Sequence, residues 1–207
     1  MAFIRNNFRY KVIKNFFDEK ELKILQLYCD NALNNPSAIL SQRNESSFAI
    51  AFPNDQLMET MLCLKKELVE RETGLDLFKT YTYWRWYGFN SDLKEHTDRP
   101  ACEISITACI NKTDDWPLII GGNKLNPKVT KVELNIGDAL LYLGTEDLHG
   151  RVGRFKGDGL AQVFMHYVDR NGPFTHHADD QYTKTHFNKW SEDDKKYILN
   201  LGVERSW

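Results

Sequence analysis

Cysteine is scarce in this 207-residue chain, and its four members, Cys29, Cys63, Cys102 and Cys109, form no CxxC pair. That spacing argues against a zinc knuckle and leaves reduced core thiols, with Cys102 and Cys109 on opposite faces of one strand. Long apolar runs are missing as well, since none approaches the ~20 residues of a membrane span. Nor is there an excess of positive charge. The net charge is −2 and the sequence pI is 6.3, whereas a general nucleic-acid binder is usually basic, so no nucleic-acid partner is expected. The opening "MAFIRNNFRYKV" breaks its apolar residues with Arg5, Arg9 and Lys11, which makes a poor signal peptide. These absences predict a soluble, cytoplasmic protein with no membrane partner. With no internal repeat and no linker long enough to divide it, the chain reads as a single domain over residues 1–207.

Apolar residues make up 42% of the chain and aromatics 13%, enough to fill a core. "FRYKVIKNFF" alternates as a first strand. Asp18 and Glu21 form a capping-box start, and Leu22, Leu25, Cys29, Ala32 and Leu33 recur at helical spacing until Pro36. A second helix is predicted from near Asn54 to Gly74, with Leu57, Met58, Met61, Leu62, Leu64 and Leu68 on its apolar face. After Gly74 the period becomes two. "LFKTYTYWRWY", "CEISITACI", "WPLII", "KVTKVEL", "ALLYL", "GRVGRF" and "LAQVFMHYV" read as strands separated by turn signals. Two helices followed by many short strands predict an α+β fold, a double-stranded β-helix (jelly roll) with the N-terminal helices packed on one sheet. Helical support is expected over 1–74, the jelly-roll core over 75–173, and a tail with a short helix capped by Ser191 over 174–207.

The chemistry is concentrated in "LKEHTDRPACEISIT", where His96 and Asp98 stand at the mouth of a strand. Alternate residues of an extended segment share a face, so an imidazole and a carboxylate aim at one point. Two histidines and a carboxylate on one face of an octahedron bind Fe(II) and leave three positions open. Of the remaining histidines, His149 fits best as the third ligand, in "GDALLYLGTEDLHGRVGRF" after a strand and its turn. His166 falls inside the last strand, and His176, His177 and His186 lie in a polar segment beyond it.

This pattern resembles the Fe(II)/2-oxoglutarate-dependent dioxygenases, and within them the prolyl 4-hydroxylase-like branch. "WYGFNSDLKEHTDRP" is similar to that branch's strand-turn-strand, and "NIGDALLYLG" to its strand before the distal histidine. The likeness covers roughly residues 75–173. It implies iron ligands at His96, Asp98 and His149, which would also be the catalytic residues. It implies Fe(II), 2-oxoglutarate and O2 as cofactor and cosubstrates, with ascorbate as an auxiliary. It also implies Tyr87 in the cosubstrate pocket and a peptide or protein substrate, hydroxylated at a peptidyl proline.

The branch usually carries a lysine or arginine about ten residues after the distal histidine to pair with the far carboxylate of 2-oxoglutarate. Here Asp158, Gly159 and Leu160 occupy that place, and Arg151, Arg154 and Lys156 come too early, beside a turn. Arg85 is the substitute read from the pattern, because Tyr81, Tyr83, Arg85 and Tyr87 share one face of a strand buried on both sides. Tyr83 then points into the same pocket. Thr107 and Gln162 are candidate polar lining residues from two further strands, and Arg99 is expected at the rim. Trp116 and Tyr182 are candidate aromatic floors for an extended peptide. Oxidation of a modified base or a small molecule, a non-catalytic jelly-roll module binding a metal or small acid, and a cupin-like zinc hydrolase remain as alternatives.

Overall fold

The computed structural model describes residues 10–35, 43–44, 48–124 and 126–180. Strand β1 (Tyr10–Ile13) is followed by helix α1 (Glu19–Leu33), strands β2 (Arg43–Asn44) and β3 (Ala49–Pro53), and helix α2 (Gln56–Thr73). Eight residues of Asp18 to Leu25 show why α1 starts where it does. Asp18 accepts from the amides of Lys20 and Glu21 at 2.9 Å, and Glu21 reaches back to the Asp18 amide at 2.8 Å. Helix α2 ends at Gly74, whose φ of +69° suits a left-handed cap. The expected helix near Ser191 lies outside the described residues.

The remaining strands are β4 (Leu77–Tyr87), β5 (Ile104–Lys112), β6 (Leu118–Ile120), β7 (Thr130–Val132), β8 (Ala139–Tyr142), β9 (His149–Arg151) and β10 (Leu160–Asp169). They form a seven-stranded sheet in the order β1-β8-β5-β10-β4-β3-β2 and a three-stranded sheet in the order β7-β6-β9. Every described strand pair is antiparallel. This is the expected jelly roll, with both helices on the outer face of the larger sheet.

That outer face is apolar for a simple reason. Ile104, Ile106, Ala108 and Ile110 of β5 alternate outward with Val163, Met165 and Tyr167 of β10, and all are buried against Leu25, Met58, Leu62 and Val69 of the helices. Asp55 ties the layers together. One oxygen caps α2 through the amides of Leu57 and Met58 at 3.1 Å. The other accepts from Tyr28 Oη on α1 at 2.7 Å and from Trp84 Nε1 on β4 at 3.2 Å. Trp84 also stacks on Phe52 of β3, with ring centroids 3.9 Å apart, a contact worth about 1 kcal/mol beyond its burial.

Three expectations are corrected. Cys102 does not belong to the strand of Cys109; it closes a 3₁₀ turn, Pro100–Cys102, that precedes β5. Leu64, placed on the apolar face of α2, is exposed. The "GRVGRF" strand is short, covering only His149–Arg151.

Candidate active site

Between β4 and β5 the chain has little regular structure, yet its backbone is held as a strand would be. Arg151 N donates to Leu93 O at 3.0 Å, and His96 and His149 exchange both backbone hydrogen bonds at 2.9 Å. The segment 93–96 thus extends the smaller sheet beyond β9. Asp98 N then donates to Gly144 O at 2.8 Å, just past the end of β8 in the larger sheet. Both sheets therefore grip the segment that carries His96 and Asp98.

The three predicted ligands converge. The His96 and His149 ring centroids lie 4.6 Å apart. His96 Nε2 is 3.5 Å from Asp98 Oδ1, and His149 Nε2 is 3.5 Å from Asp98 Oδ2. One ligand atom from each residue lies within 4.8 Å of the other two. Each Nδ1 is turned onto a carbonyl, His96 to Lys94 O at 2.9 Å and His149 to Asp147 O at 2.8 Å. A carbonyl only accepts, so Nδ1 carries the proton and Nε2 keeps its lone pair for the site.

Electrostatics agree with this geometry. Burial alone would raise the Asp98 carboxyl, but His149 and His96 outweigh it and hold it well below its usual 3.8. For His96 burial acts downward, and the hydrogen bond and charge of Asp98 outweigh it to raise the imidazole above 6.5. The close approach depends on Gly144. A Cβ there would stand 2.3 Å from Cys102 O, 2.5 Å from Ser105 Oγ and 2.6 Å from Asp98 Oδ2.

The predicted cosubstrate residues face the interior of the sandwich alongside this cluster. Gln162 of β10 is registered between Arg85 of β4 and Cys109 of β5, and Phe164 between Tyr83 and Thr107. Arg85 lies against two rings, its Cζ 5.7 Å from the Tyr83 centroid and 5.5 Å from that of Tyr87, with Nη1 3.5 Å from Tyr87 Oη. Tyr87 is fully buried, edge-on to Trp116. Thr107 Oγ1 and Gln162 Nε2 are buried without a hydrogen-bond partner.

By sequence spacing Arg151 falls too early and beside a turn. It is instead the third residue of β9, on the same face as His149, and is 8% exposed. Its Nη1 donates to Trp116 O and its Nη2 to Gln162 Oε1, while Nε has no partner. The guanidinium stands 5.0 Å from the Trp116 ring. Burial lowers its pKa to about 10, with the charges of Tyr87, Cys109 and Tyr142 acting in the opposite direction. A buried guanidinium whose hydrogen-bond acceptors are all neutral is costly, and an incoming anion would relieve that cost. Counting by twos from His149 would have found it.

Two surface expectations are also corrected. Trp116 is buried against Tyr87 and Phe155 and offers no open floor, while Tyr182 lies outside the described residues. Arg99, expected at the rim, is instead largely buried, pairing with Asp180 at 2.5 Å and lying 4.5 Å from the Tyr81 ring.

No protein-family model and no curated protein matches the chain in sequence. Solved structures do match in shape. The α-ketoglutarate-dependent epimerase SnoN from nogalamycin biosynthesis aligns with a TM-score of 0.63 at 12% identity, over 77% of each chain. EctD from S. alaskensis, with 2-oxoglutarate and 5-hydroxyectoine, aligns at 0.61 and 15% identity over 77% of this chain and 72% of its own. HygX from Streptomyces hygroscopicus, with nickel, 2-oxoglutarate and hygromycin B, aligns at 0.61 and 11% identity over 78% and 83%. The chain has the fold of these enzymes.

Proposed function

We propose that the protein is a non-haem Fe(II)- and 2-oxoglutarate-dependent oxygenase in which His96, Asp98 and His149 hold the metal. The observation that carries this reading is the convergence of two Nε2 atoms and one carboxylate within 4.8 Å, with both Nδ1 atoms tied back to carbonyls. The donor set fits iron, since two imidazoles and a carboxylate on one face leave positions for small molecules. When bound, the iron and 2-oxoglutarate would supply oxidative hydrogen removal from a C–H bond, using O2.

The chain's own residues would do the binding and orienting. Arg151 is assigned the far carboxylate of 2-oxoglutarate in preference to Arg85, because it is a buried cation with only neutral acceptors and follows His149 on one strand face. Gln162 orients Arg151 through Oε1, and its partnerless Nε2, with Thr107 Oγ1, is left to bind the same ligand. Tyr83, Tyr87 and Phe164 keep the interior dry. Arg85, level with Gln162 on β4, is assigned to an anionic group of the substrate.

A peptidyl proline substrate finds no support in the comparisons. The similar structures hold or are named for small molecules, 5-hydroxyectoine, hygromycin B and nogalamycin among them. A small molecule is therefore the favoured substrate class here. Anaerobic addition of Fe(II) and 2-oxoglutarate tests the oxygenase reading directly. A weak visible charge-transfer band that needs both additions is expected, as is O2-dependent succinate formation that Asp98→Ala abolishes. A zinc hydrolase or a non-catalytic module gives neither.

A further inference from the structure

Asp98 belongs to two metal-competent clusters. Besides the set with the two histidines, its carboxylate lies within 4.8 Å of ligand atoms from Cys102 and His166. Cys102 and His166 are each only 2% exposed, and they come from different elements, the 3₁₀ turn before β5 and the inner face of β10. Tyr81 joins them, with its Oη 3.1 Å from Cys102 Sγ and its ring centroid 4.7 Å from that of His166. Ser105 Oγ sits in their midst, 2.9 Å from His166 Nδ1, 3.0 Å from Cys102 O and 3.4 Å from Asp98 Oδ2.

A sulfur, an imidazole and a carboxylate gathered in a dry interior require a reason. A core histidine normally satisfies both ring nitrogens, yet His166 Nε2 is buried with no hydrogen-bond partner. An orphaned nitrogen of this kind costs about 1–3 kcal/mol, which a bound cation would recover. The donor set is softer than that of the His96–His149 pair, and thiolate with imidazole selects zinc-like ions over calcium or magnesium.

We propose that Cys102, His166 and Asp98 form a second metal site, which takes a thiophilic divalent cation such as zinc. On binding, the Cys102 S–H bond breaks, the sulfur's electron pair forms the metal–sulfur bond, and the proton leaves to solvent. The thiolate and the carboxylate together balance the ion's two positive charges. The Tyr81 hydroxyl, 3.1 Å from Cys102 Sγ, is a further oxygen beside the site. Because Asp98 is common to both sets, zinc at this site competes for the carboxylate that an ion between His96 and His149 requires. The site itself depends on the oxygenase reading only through that shared residue.

Cobalt(II) is the probe, since a cobalt–thiolate bond gives an intense near-ultraviolet charge-transfer band that imidazole and carboxylate ligands do not. Anaerobic titration of the metal-free full chain is expected to produce this band, and added zinc to remove it. The band is expected to persist in Cys63→Ser, which removes the exposed thiol, and in His96→Ala, which disables only the first set. It is expected to vanish in Cys102→Ser. X-ray absorption at the zinc edge of the unsubstituted protein needs no variant and should show one sulfur at about 2.3 Å. Absence of sulfur from the zinc shell, or a cobalt band that survives Cys102→Ser, overturns the proposal. Failure of the oxygenase reading is separate, because it is read from the Fe(II) and 2-oxoglutarate band.

Discussion

Arg151 and Gln162 meet across the sandwich, the guanidinium of β9 in the smaller sheet donating to the side-chain oxygen of β10 in the larger one. The arginine's other hydrogen-bond acceptor is a backbone carbonyl, so no carboxylate neutralises it. Two opposite consequences follow for Arg151→Met. Without ligand, removing a buried unpaired charge is neutral or stabilising, so the melting temperature should not fall. With ligand, loss of a charge-assisted contact of about 1.5–3 kcal/mol should weaken 2-oxoglutarate binding roughly 10- to 100-fold. Thermal shift with and without 2-oxoglutarate reads both. If Arg85→Met loses the ligand's stabilisation and Arg151→Met keeps it, the assignment belongs to Arg85.

Gly144 is the point where the β8 end touches the ligand segment. A methyl group there meets a backbone carbonyl at 2.3 Å and the Asp98 carboxylate at 2.6 Å, and the carbonyl has no flexible side chain to swing aside. Gly144→Ala is expected to cost about 1–3 kcal/mol of stability and to push Asp98 out of line. Cobalt or Fe(II) affinity should fall at least about tenfold. Unchanged metal affinity would mean that Asp98 does not need its observed position.

Strands β4 and β10 were legible almost to the residue, because their aromatic and β-branched side chains alternate over long runs. The convergence of His96, Asp98 and His149 was legible for a different reason: residue types in a recognisable spacing. Strand β3 escaped notice, since it spans only Ala49–Pro53, ends in a proline, and is secured by Phe52 stacking on Trp84, a contact between separate segments. Arg151 is missed on other grounds: "GRVGRF" reads as a strand, but Arg151 stands only two residues after His149, ahead of the spacing at which the cation is expected. Cys102 was carried into the strand because alternation hides a turn begun by Pro100.

Asp147 fixes the turn that delivers His149. Its side chain accepts from Asn126 Nδ2 at 3.1 Å and from Leu143 N at 3.4 Å, while its backbone carbonyl takes His149 Nδ1. Asp147→Ala removes the first two and frees the turn that carries the third. Metal affinity is expected to fall roughly 10- to 100-fold, as for other residues that orient a ligand imidazole. Titration with Fe(II) in the presence of 2-oxoglutarate, beside a melting curve, separates this from unfolding, because the variant should still unfold cooperatively. A loss below about threefold would assign the orientation to the backbone alone.

Asp138 gives a pH signature that is independent of any ligand. It accepts from Lys14 Nζ at 2.7 Å and from the amides of Asn15 at 3.1 Å and Asn135 at 3.2 Å, tying β1 to the start of β8. Burial would raise its pKa, but Lys14 and the two amides outweigh burial and hold it below 3.8. The unfolded chain therefore binds the proton more readily than the folded one, so the contribution is fully present above pH 3.8. It is lost as pH falls through the folded value. Lys14 is largely exposed, so the amides rather than the ion pair should dominate, and Asp138→Asn is expected to cost about 1–2 kcal/mol at pH 7. The difference between the two proteins in urea denaturation should hold down to about pH 4 and narrow in stronger acid. A gap of the same size at pH 2.5 would show that the carboxylate's charge is not what stabilises the turn.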